Sequence, residues 1–402
     1  MMRPHALSRV GMGFVLLLGV VSLFADMAYE GARSITGPFL ASLGANASVV
    51  GFVAGLGEVM GYALRLPSGF LADRTRRYWD ITILGYLVNM GAVPLLALAG
   101  RWETASALIV AERIGKAVRT PARDAMLAYA AASIGRGWAF GVHEAIDQVG
   151  AVAGPLVVAA VLALTHGYRW GFGVLAVPAA LALLTLALAR WRFPNPLGLE
   201  APKAVASGGG AGRFPLPFWL YLAFTGVSIA GYAHFQMVGY HLKVAKVVTD
   251  AHIPLLFALA MGVDAVTALL IGRWFDRVGL RVLALVPLLS LPIVPLTFSH
   301  TPGLAVAGVL LWGIVLGAHE TVLRAAVASF APVERRGAAF GVFHAVYGVA
   351  WFAGSATMGA LYPVGIGWLV AFSVILEVVA LALLVAMFRD AGWGRAQPAD
   401  GV

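Results

Sequence analysis

Long apolar runs, separated by short stretches that contain charged residues, glycine or proline, cover most of the chain. Each run holds about 20 residues or more, the length with which an α-helix crosses the hydrocarbon core of a bilayer. The pattern predicts an all-α polytopic membrane protein of twelve transmembrane helices. We expect these helices at residues 11–39, 47–71, 79–100, 103–130, 138–166, 169–190, 217–243, 251–274, 281–299, 302–330, 337–362 and 365–388.

The composition agrees with helices that are solvated by lipid. Hydrophobic residues make up 60% of the chain and charged residues only 12%, and too little polar surface remains to cover a water-soluble fold. The first apolar run resembles a signal peptide, but no cleavage site is evident and further apolar runs follow. We therefore interpret it as the first membrane helix.

The distribution of positive charge predicts the orientation. The net charge is +9, but the basic residues lie in short clusters between apolar runs, so we expect no nucleic-acid partner. These clusters fall on alternate connections, on the side of the N-terminus, which the positive-inside rule makes cytoplasmic. We expect a multi-pass protein of the cell's inner (plasma) membrane with both termini in the cytoplasm. Lys243 and Lys246 are exceptions on the opposite side.

An internal repeat divides the helices into two sets of six. Residues 136–154 and 336–354 share ten identities in nineteen positions at an offset of 200. A second match pairs residues 69–74 with 272–277 at an offset of 203. We expect two parallel bundles with pseudo-symmetry. Their predicted ranges are 1–190 and 217–390, with a Pro- and Gly-containing cytoplasmic linker at 191–216 and a cytoplasmic tail at 391–402.

The connection after the second helix of each half resembles a signature of the major facilitator superfamily, G-x-x-x-D-R-x-G-R followed by Lys or Arg. The first copy lacks the internal glycine and reads as one residue short, whereas the second copy keeps that glycine. The resemblance implies the twelve-helix fold of that superfamily. The matching residues are Gly69, Asp73, Arg74, Arg76 and Arg77 in the first copy and Gly272, Asp276, Arg277, Gly279 and Arg281 in the second.

The fifth helix resembles the antiporter motif of the same superfamily, G-x8-G-x3-G-P. Its final glycine pair is replaced by Val158 and Ala159. Residues 22–30 and 112–128 are also similar to a prokaryotic permease branch of the superfamily. The motif favours exchange of solutes, and its small residues are expected at helix packing positions. These residues are Gly141, Gly150, Gly154 and Pro155.

The signature residues are candidates for gating rather than for solute binding. A carboxylate at a cytoplasmic helix end can meet an arginine and the positive N-terminus of a neighbouring helix. In the superfamily such a pairing latches one gate; the alternative is that Asp73 and Arg74 only cap and orient a loop. The predicted gating residues are Asp73, Arg74, Arg77, Asp276, Arg277 and Arg281, with Asp147 of helix five.

Charges within apolar helices are the strongest candidates for solute and proton coupling, because each costs roughly 2.5–3.5 kcal/mol at mid-membrane unless it has a partner or a wet cavity. Three charges of helix one lie four and three residues apart, on one helix face. Helix four carries three more within five residues. The predicted coupling residues in these helices are Asp26, Glu30, Arg33, Glu112, Arg113 and Lys116.

The expected contact joins helix one to helix four. At about 1.5 Å per residue, Asp26 lies roughly 20 Å and Arg113 roughly 15–18 Å from the cytoplasmic side. In the superfamily, helices one, four, seven and ten line the central cavity, so we expect Asp26 or Glu30 to pair with Arg113. The alternative is a pair that only fastens two helices together. Arg119, nearer the cytoplasm, is expected to be solvated or at lipid headgroups.

The remaining buried polar residues are weaker candidates. His143 and Asp147 lie four apart and could form a pair at a gate. Glu58 and Arg65 of helix two are too far apart for contact, and we assign them no role. Asp264 of helix eight has no charged residue near it in the sequence. In the second half, the candidates for proton transfer or neutral hydrogen bonding are His234, His319 and the adjacent Glu320.

These observations favour a secondary transporter that exchanges a small organic compound for protons, acting as a monomer, without cofactor or metal. The alternatives are a facilitator or a proton symporter that imports a small anion. A nontransporting sensor would need a soluble signalling domain, and we expect none. An enzyme lacks support, because the metalloprotease motif H-E-x-x-H has Leu323 in place of its second histidine and no nucleophile motif G-x-S-x-G occurs. An ATP-driven pump lacks support because no Walker sequence occurs.

Overall fold

The computed structural model describes residues 4–131, 134, 136–195, 214–330 and 336–390. We number the membrane-crossing segments α1 to α12, and several of them consist of two or three helices in line. No strand occurs in this part of the chain. The first six segments are α1 Pro4–Ser42, α2 Ala47–Ala63 and Arg65–Thr75, α3 Tyr78–Leu95 with a 3₁₀ turn Leu96–Leu98, α4 Trp102–Ala131, α5 Arg136–Thr165, and α6 Tyr168–Val174 and Ala176–Arg192.

The second half follows the same order. The segments are α7 Leu216–Gly231 and Phe235–Val244, α8 His252–Val278, α9 with the 3₁₀ turn Gly279–Ala284 and the helices Leu285–Ser290 and Ile293–Thr297, α10 Pro302–Ala318 and Arg324–Phe330 joined by the π turn His319–Leu323, α11 Arg336–Leu361, and α12 Ile366–Asp390.

The helix lengths and composition confirm the predicted all-α membrane fold. In the described residues, ten helical stretches are long and apolar enough to cross a membrane. Segment α4 is not among them because charged residues are spread along it, and the stretch His252–Thr297 is 46 residues long, enough for two crossings. The result is consistent with twelve crossings. Most of the predicted linker and the predicted tail, residues 196–213 and 391–402, lie outside the described residues.

Close helix packing reproduces the sequence repeat in space. A Cβ atom at Gly154 of α5 would overlap the backbone carbonyl of Met27 in α1, and one at Gly354 of α11 would overlap that of Ala230 in α7. The two glycines are related by the offset of 200, and Met27 and Ala230 by the offset of 203. Helices one and five of the first half therefore pack as helices seven and eleven do in the second.

Two of the three motif glycines of α5 lie in close contact with the backbone of α1. Gly150 lies against the backbone carbonyl of Leu23, one turn below the contact of Gly154. Among the described residues, in contrast, no atom lies within 4 Å of the place where a Cβ of Gly141 would stand, so no contact supports a packing role for Gly141. Pro155 lies inside α5 next to the close contact, where neighbouring helices make a proline tolerable.

The signature loop after α2 differs from its repeat by a substitution. Arg76 ends α2 in the left-handed conformation, with φ of 55°, and Gly279 ends α8 with φ of 64°. These positions are 203 residues apart, the offset of the repeat. The first copy is therefore not one residue short, as its pattern suggested, but carries an arginine in the place of the glycine, at the cost of a strained backbone.

The two halves approach most closely on one side of the membrane. We call the side at which α1 begins the near side and the side at which α1 ends the far side. On the far side, Gly37 of α1 leaves no room for a Cβ against the backbone of Gln236 in α7. Ser48 of α2 donates a hydrogen bond of 3.1 Å to the carbonyl of Gly359 in α11. These contacts close the far side.

Candidate solute cavity

A cavity of about 330 Å³ lies between the halves and extends from mid-membrane toward the near side. Leu127 and Phe140, close to the near-side ends of α4 and α5, line its lower part. Charged side chains make up much of its wall. The acidic ones are Asp26, Glu30, Glu58, Asp124, Glu144, Asp147, Asp264 and Glu320, and the basic ones are Arg33, Arg65, Arg113, Lys116, Arg123 and Arg324.

Glu58 of α2 is the centre of the ion-pair network. Its Oε1 atom lies 3.1 Å from Nη1 of Arg113 and 3.8 Å from Nη2 of Arg33. The same oxygen lies 3.1 Å from Nε2 of His234, which belongs to the second half. Glu58 thus connects α1, α2, α4 and α7 through one carboxylate.

The predicted pairing of helix one with Arg113 is wrong. Glu30 lies 3.5 Å from Arg33 of its own helix, and Asp26 lies 3.8 Å from Arg119. Helix one therefore contacts helix four at Arg119 rather than at Arg113, and the carboxylate that pairs with Arg113 across helices is Glu58 of helix two. The prediction overlooked Glu58 because Arg65, the nearest charge on its own helix, is out of reach, and its real partners lie on other helices.

Arg119 is fully buried, contrary to the expectation of a solvated residue. Its guanidinium lies 4.2 Å above the ring of Tyr86 and faces Asp26. A cation over an aromatic face is attracted by the ring quadrupole, most strongly where water is excluded. Arg119 therefore stabilises the interior of the first half and does not mark the membrane surface.

The other charges of α4 divide between the protein interior and the cavity. Glu112 is buried behind the wall, where it accepts a hydrogen bond of 2.6 Å from Asn89 and lies 3.5 Å from Arg113. Lys116 lines the cavity, with its ammonium 3.6 Å from the ring centroid of Tyr29. Tyr29 also accepts a hydrogen bond from Arg113.

On α5, the predicted pair of His143 and Asp147 is replaced by a contact between helices. His143 Nε2 is 3.1 Å from the hydroxyl of Ser22 in α1. Asp147 lines the cavity, and its buried Oδ1 atom has no hydrogen-bond partner among the described residues. One ligand atom each of His143, Glu144 and Asp147 lies within 4.8 Å of the others, a spacing that could hold a metal ion. The expected absence of a metal site stays a prediction.

Asp264 of α8 is not alone, as the sequence suggested. Its Oδ2 atom accepts a hydrogen bond of 2.9 Å from Gln148 of α5, so the contact joins the two halves. Gln148 also reaches the carbonyl of Met261 at 3.5 Å. The contact between α5 and α8 therefore presents to the cavity a carboxylate of which one oxygen already accepts a hydrogen bond.

The histidines of the second half take different positions. His234 begins the second helix of α7, where its Nδ1 accepts a hydrogen bond from the amide of Gln236 at 3.3 Å. His319 is fully buried against the ring of Tyr232, with ring centroids 4.8 Å apart, and neither of its nitrogens has a hydrogen-bond partner in the described part of the chain. His319 does not line the cavity, whereas the adjacent Glu320 does.

The signature residues lie at the near-side ends of α2 and α8. The carboxylate of Asp73 accepts a hydrogen bond of 3.0 Å from the hydroxyl of Tyr78. Within the described ranges, no ion pair joins Asp73 to Arg74. Their gating role stays a prediction, as does that of the other exposed signature residues, Arg77, Asp276, Arg277 and Arg281.

Comparison with known proteins confirms the fold. The sequence model of the Major Facilitator Superfamily matches residues 16–254 and 220–400. The chain belongs to the major facilitator superfamily. An uncharacterised protein of Mycobacterium tuberculosis is 45% identical over 394 residues, covering 95% of this chain and 96% of that protein. An uncharacterised transporter of this superfamily from Methanocaldococcus jannaschii is 24% identical, covering 92% and 94%.

Solved structures of the superfamily share the fold at low sequence identity. A bacterial homologue of the human lysosomal transporter Spinster, in an inward-facing and occupied conformation, has a TM-score of 0.75 at 17% identity, covering 96% of this chain and 98% of that one. A nucleoside transporter has a TM-score of 0.74 at 13% identity, covering 93% and 100%. This major facilitator superfamily member is therefore a multi-pass membrane secondary transporter.

Proposed function

We propose that the protein exports a small organic compound in exchange for protons by alternating access. The observation that carries this proposal is the carboxylate of Glu58, which binds Arg113 within its own half and His234 in the other half. A proton on such a carboxylate would remove its charge from two contacts at once. Proton binding would then change both the charge of the cavity and the attraction between the halves.

The energetic argument follows from burial. An arginine that loses its carboxylate in a low-dielectric interior is left with an uncompensated charge, which costs several kcal/mol. Protonation of Glu58 would remove the carboxylate that Arg113 and Arg33 share and leave them with Glu112 and Glu30, each at 3.5 Å. A solute anion or a rearrangement that supplies a further partner would then be favoured. The proton and the solute thus favour different arrangements, which is the physical requirement for exchange. Asp26 and Glu30 are the further carboxylates from which we expect a contribution.

We infer the direction of transport from the sidedness of the cavity and from the motif of α5. The near side corresponds to the cytoplasm under the positive-inside rule, and the cavity extends toward it. An exporter takes up its solute from that side. The antiporter-like sequence of α5 supports exchange, since Gly150 and Gly154 bring this helix into backbone contact with α1. We place the protein, as a monomer, in the inner (plasma) membrane with cytoplasmic termini.

The experiment is a measurement of lumenal pH in proteoliposomes that contain the full-length protein and a pH-sensitive dye. When a transported solute is added outside, antiport removes protons from the lumen, which becomes alkaline. A proton symporter makes the lumen acidic, and a facilitator leaves it unchanged. Protein-free liposomes control for passive diffusion of bases. We expect alkalinisation that decreases about tenfold or more in Asp26→Asn combined with Glu30→Gln; an unchanged signal in that variant would remove these carboxylates from the coupling.

A further inference from the structure

The two seams along which the halves meet carry opposite unpaired charge. One seam joins α5 to α8, through the hydrogen bond of Gln148 to Asp264. The other joins α2 to α11, where the rings of Tyr62 and His344 stack with centroids 5.5 Å apart. The cavity lies between these seams, and side chains of both line it.

The α5–α8 seam is acidic. Glu144, Asp147 and Asp264 line the cavity there, with Glu320 of the adjacent α10. Within the described residues, no basic side chain lies within the 4.0 Å of an ion pair from any of the four. Asp264 is only 4% exposed, and within the described residues neither its Oδ1 atom nor that of Asp147 has a hydrogen-bond partner. Several carboxylates therefore face the cavity without a cation.

The α2–α11 seam is basic. The guanidinium of Arg65 lies 4.8 Å above the ring of Tyr62, and no described residue forms a hydrogen bond with its buried Nε atom. Arg324 of α10 also lines the cavity. In the part of the chain that the structure describes, neither arginine has a carboxylate within ion-pair distance. Arginine presents several donors in a fixed fork that suits a carboxylate or phosphate group.

The other charges of the cavity wall are largely matched to each other. Arg113 and Arg33 share Glu58, and Arg123 lies 2.8 Å from Asp124. The cationic face of α4, which by sequence alone suited an anionic solute, is therefore mostly neutralised by the protein. Within the described residues, the cavity charges without an ion pair are those of the two seams and Lys116 of α4, whose ammonium lies over the ring of Tyr29. A solute with a single charge would therefore leave one seam unsatisfied.

We propose that the transported solute is a small zwitterion, with an ammonium group bound at the α5–α8 seam and a carboxylate or phosphate bound by Arg65 at the α2–α11 seam. This substrate class rests on the proposed transport function. A cavity of about 330 Å³ lies at the small end of the range for ligand sites. Such a solute supplies counterions to both seams at once and can be displaced from the carboxylates by protons.

The experiment compares three compounds with the same four-carbon chain: 4-aminobutyrate, n-butylamine and butyrate. Two further sets, each with an amino acid, an amine and a carboxylate of two or six carbons, vary the distance between the two charged groups. Ligand binding is measured as thermal stabilisation of the purified full-length protein. We expect at least one amino acid to bind about tenfold or more tightly than both its amine and its carboxylate counterpart.

Two variants locate the binding groups. Asp264→Asn and Arg65→Gln are each expected to weaken binding of the amino acid about tenfold or more, to the level of the singly charged compounds. Glu103→Gln, on the exposed far-side end of α4, is the matched control. Equal binding of an amine or a carboxylate by the wild-type protein would overturn the proposal, as would no stabilisation by any amino acid at about 10 mM.

The same compounds distinguish a failure of the zwitterion site from a failure of the proposed proton antiport. An amino acid that stabilises the protein but moves no protons in proteoliposomes supports the zwitterion site and contradicts antiport. An anion or a simple amine that drives alkalinisation supports antiport and contradicts the zwitterion site. The wild-type comparison does not depend on how well either variant folds.

Discussion

Replacing Glu58 by glutamine is expected to reduce solute-driven proton exchange about 100-fold. Glutamine keeps the size of the side chain but removes the charge that faces Arg113, Arg33 and His234. Breaking a buried ion pair by removing one partner costs roughly 3–5 kcal/mol. A free-energy change of about 1.4 kcal/mol corresponds to a tenfold change in rate. A loss of about 3 kcal/mol of coupling free energy therefore corresponds to the expected 100-fold reduction in proton exchange.

The measurement is the initial rate of lumenal alkalinisation in proteoliposomes. Glu58→Asp keeps the charge and is expected to retain part of the rate, which distinguishes loss of proton coupling from loss of folding. Glu103→Gln, at an exposed carboxylate that pairs with Arg101, should behave as the wild type. Wild-type exchange by a well-folded Glu58→Gln protein would remove Glu58 from the coupling mechanism.

Replacing Gly154 by leucine is expected to destabilise the protein by about 3 kcal/mol or more. The first atom of the new side chain would overlap the carbonyl of Met27 and lie 3.0 Å from the amide nitrogen of Gly31. Both groups are backbone of α1, so relief requires the two helices to separate. Such a separation would also shift Asp26, on the same helix, away from Arg119 of α4.

The matched control is Gly141→Leu, thirteen residues earlier in the same helix and free of contact at its Cβ position. We expect Gly141→Leu to yield monodisperse protein with nearly wild-type thermal stability in detergent, and Gly154→Leu to yield little. Equal stability of the two variants would contradict the close α1–α5 packing, and with it the structural role of the antiporter-like motif.

The sequence predicted the fold well because the length and spacing of apolar runs report directly on membrane crossings. The repeat added the division into halves, which the equivalent contacts of Gly154 and Gly354 reproduce. The breaks within helices were not predictable in this way. Segment α7 is interrupted at residues 232–234, where the indole of Trp312 donates a hydrogen bond of 2.8 Å to the carbonyl of Ala233. That interaction depends on the position of α10, not on local sequence.

The candidate site was predictable as a set of buried charges but not as a set of pairs. Helix periodicity places Asp26, Glu30 and Arg33 on one face, and all three line the cavity. Their partners could not be found from spacing, because the decisive contacts join residues far apart in the chain. Glu58 and His234 are separated by 176 residues. Only the packing of α2 against α7 brings them together.

The most direct test of the central claim, transport by alternating access, is a reversible cross-link between the halves on the far side. The rings of Phe52 in α2 and Phe352 in α11 lie 5.5 Å apart, and the chain contains no cysteine. Phe52→Cys combined with Phe352→Cys therefore offers a single site for a short, reducible thiol cross-linker. Each single-cysteine variant, treated in the same way, serves as the control.

Cross-linking of this pair should hold the far side closed and abolish solute-driven proton movement in proteoliposomes, and reduction of the cross-linker should restore it. The single-cysteine controls should keep their rate throughout. Undiminished exchange by fully cross-linked protein would contradict the account, because the solute and the proton would then cross without separation of α2 from α11.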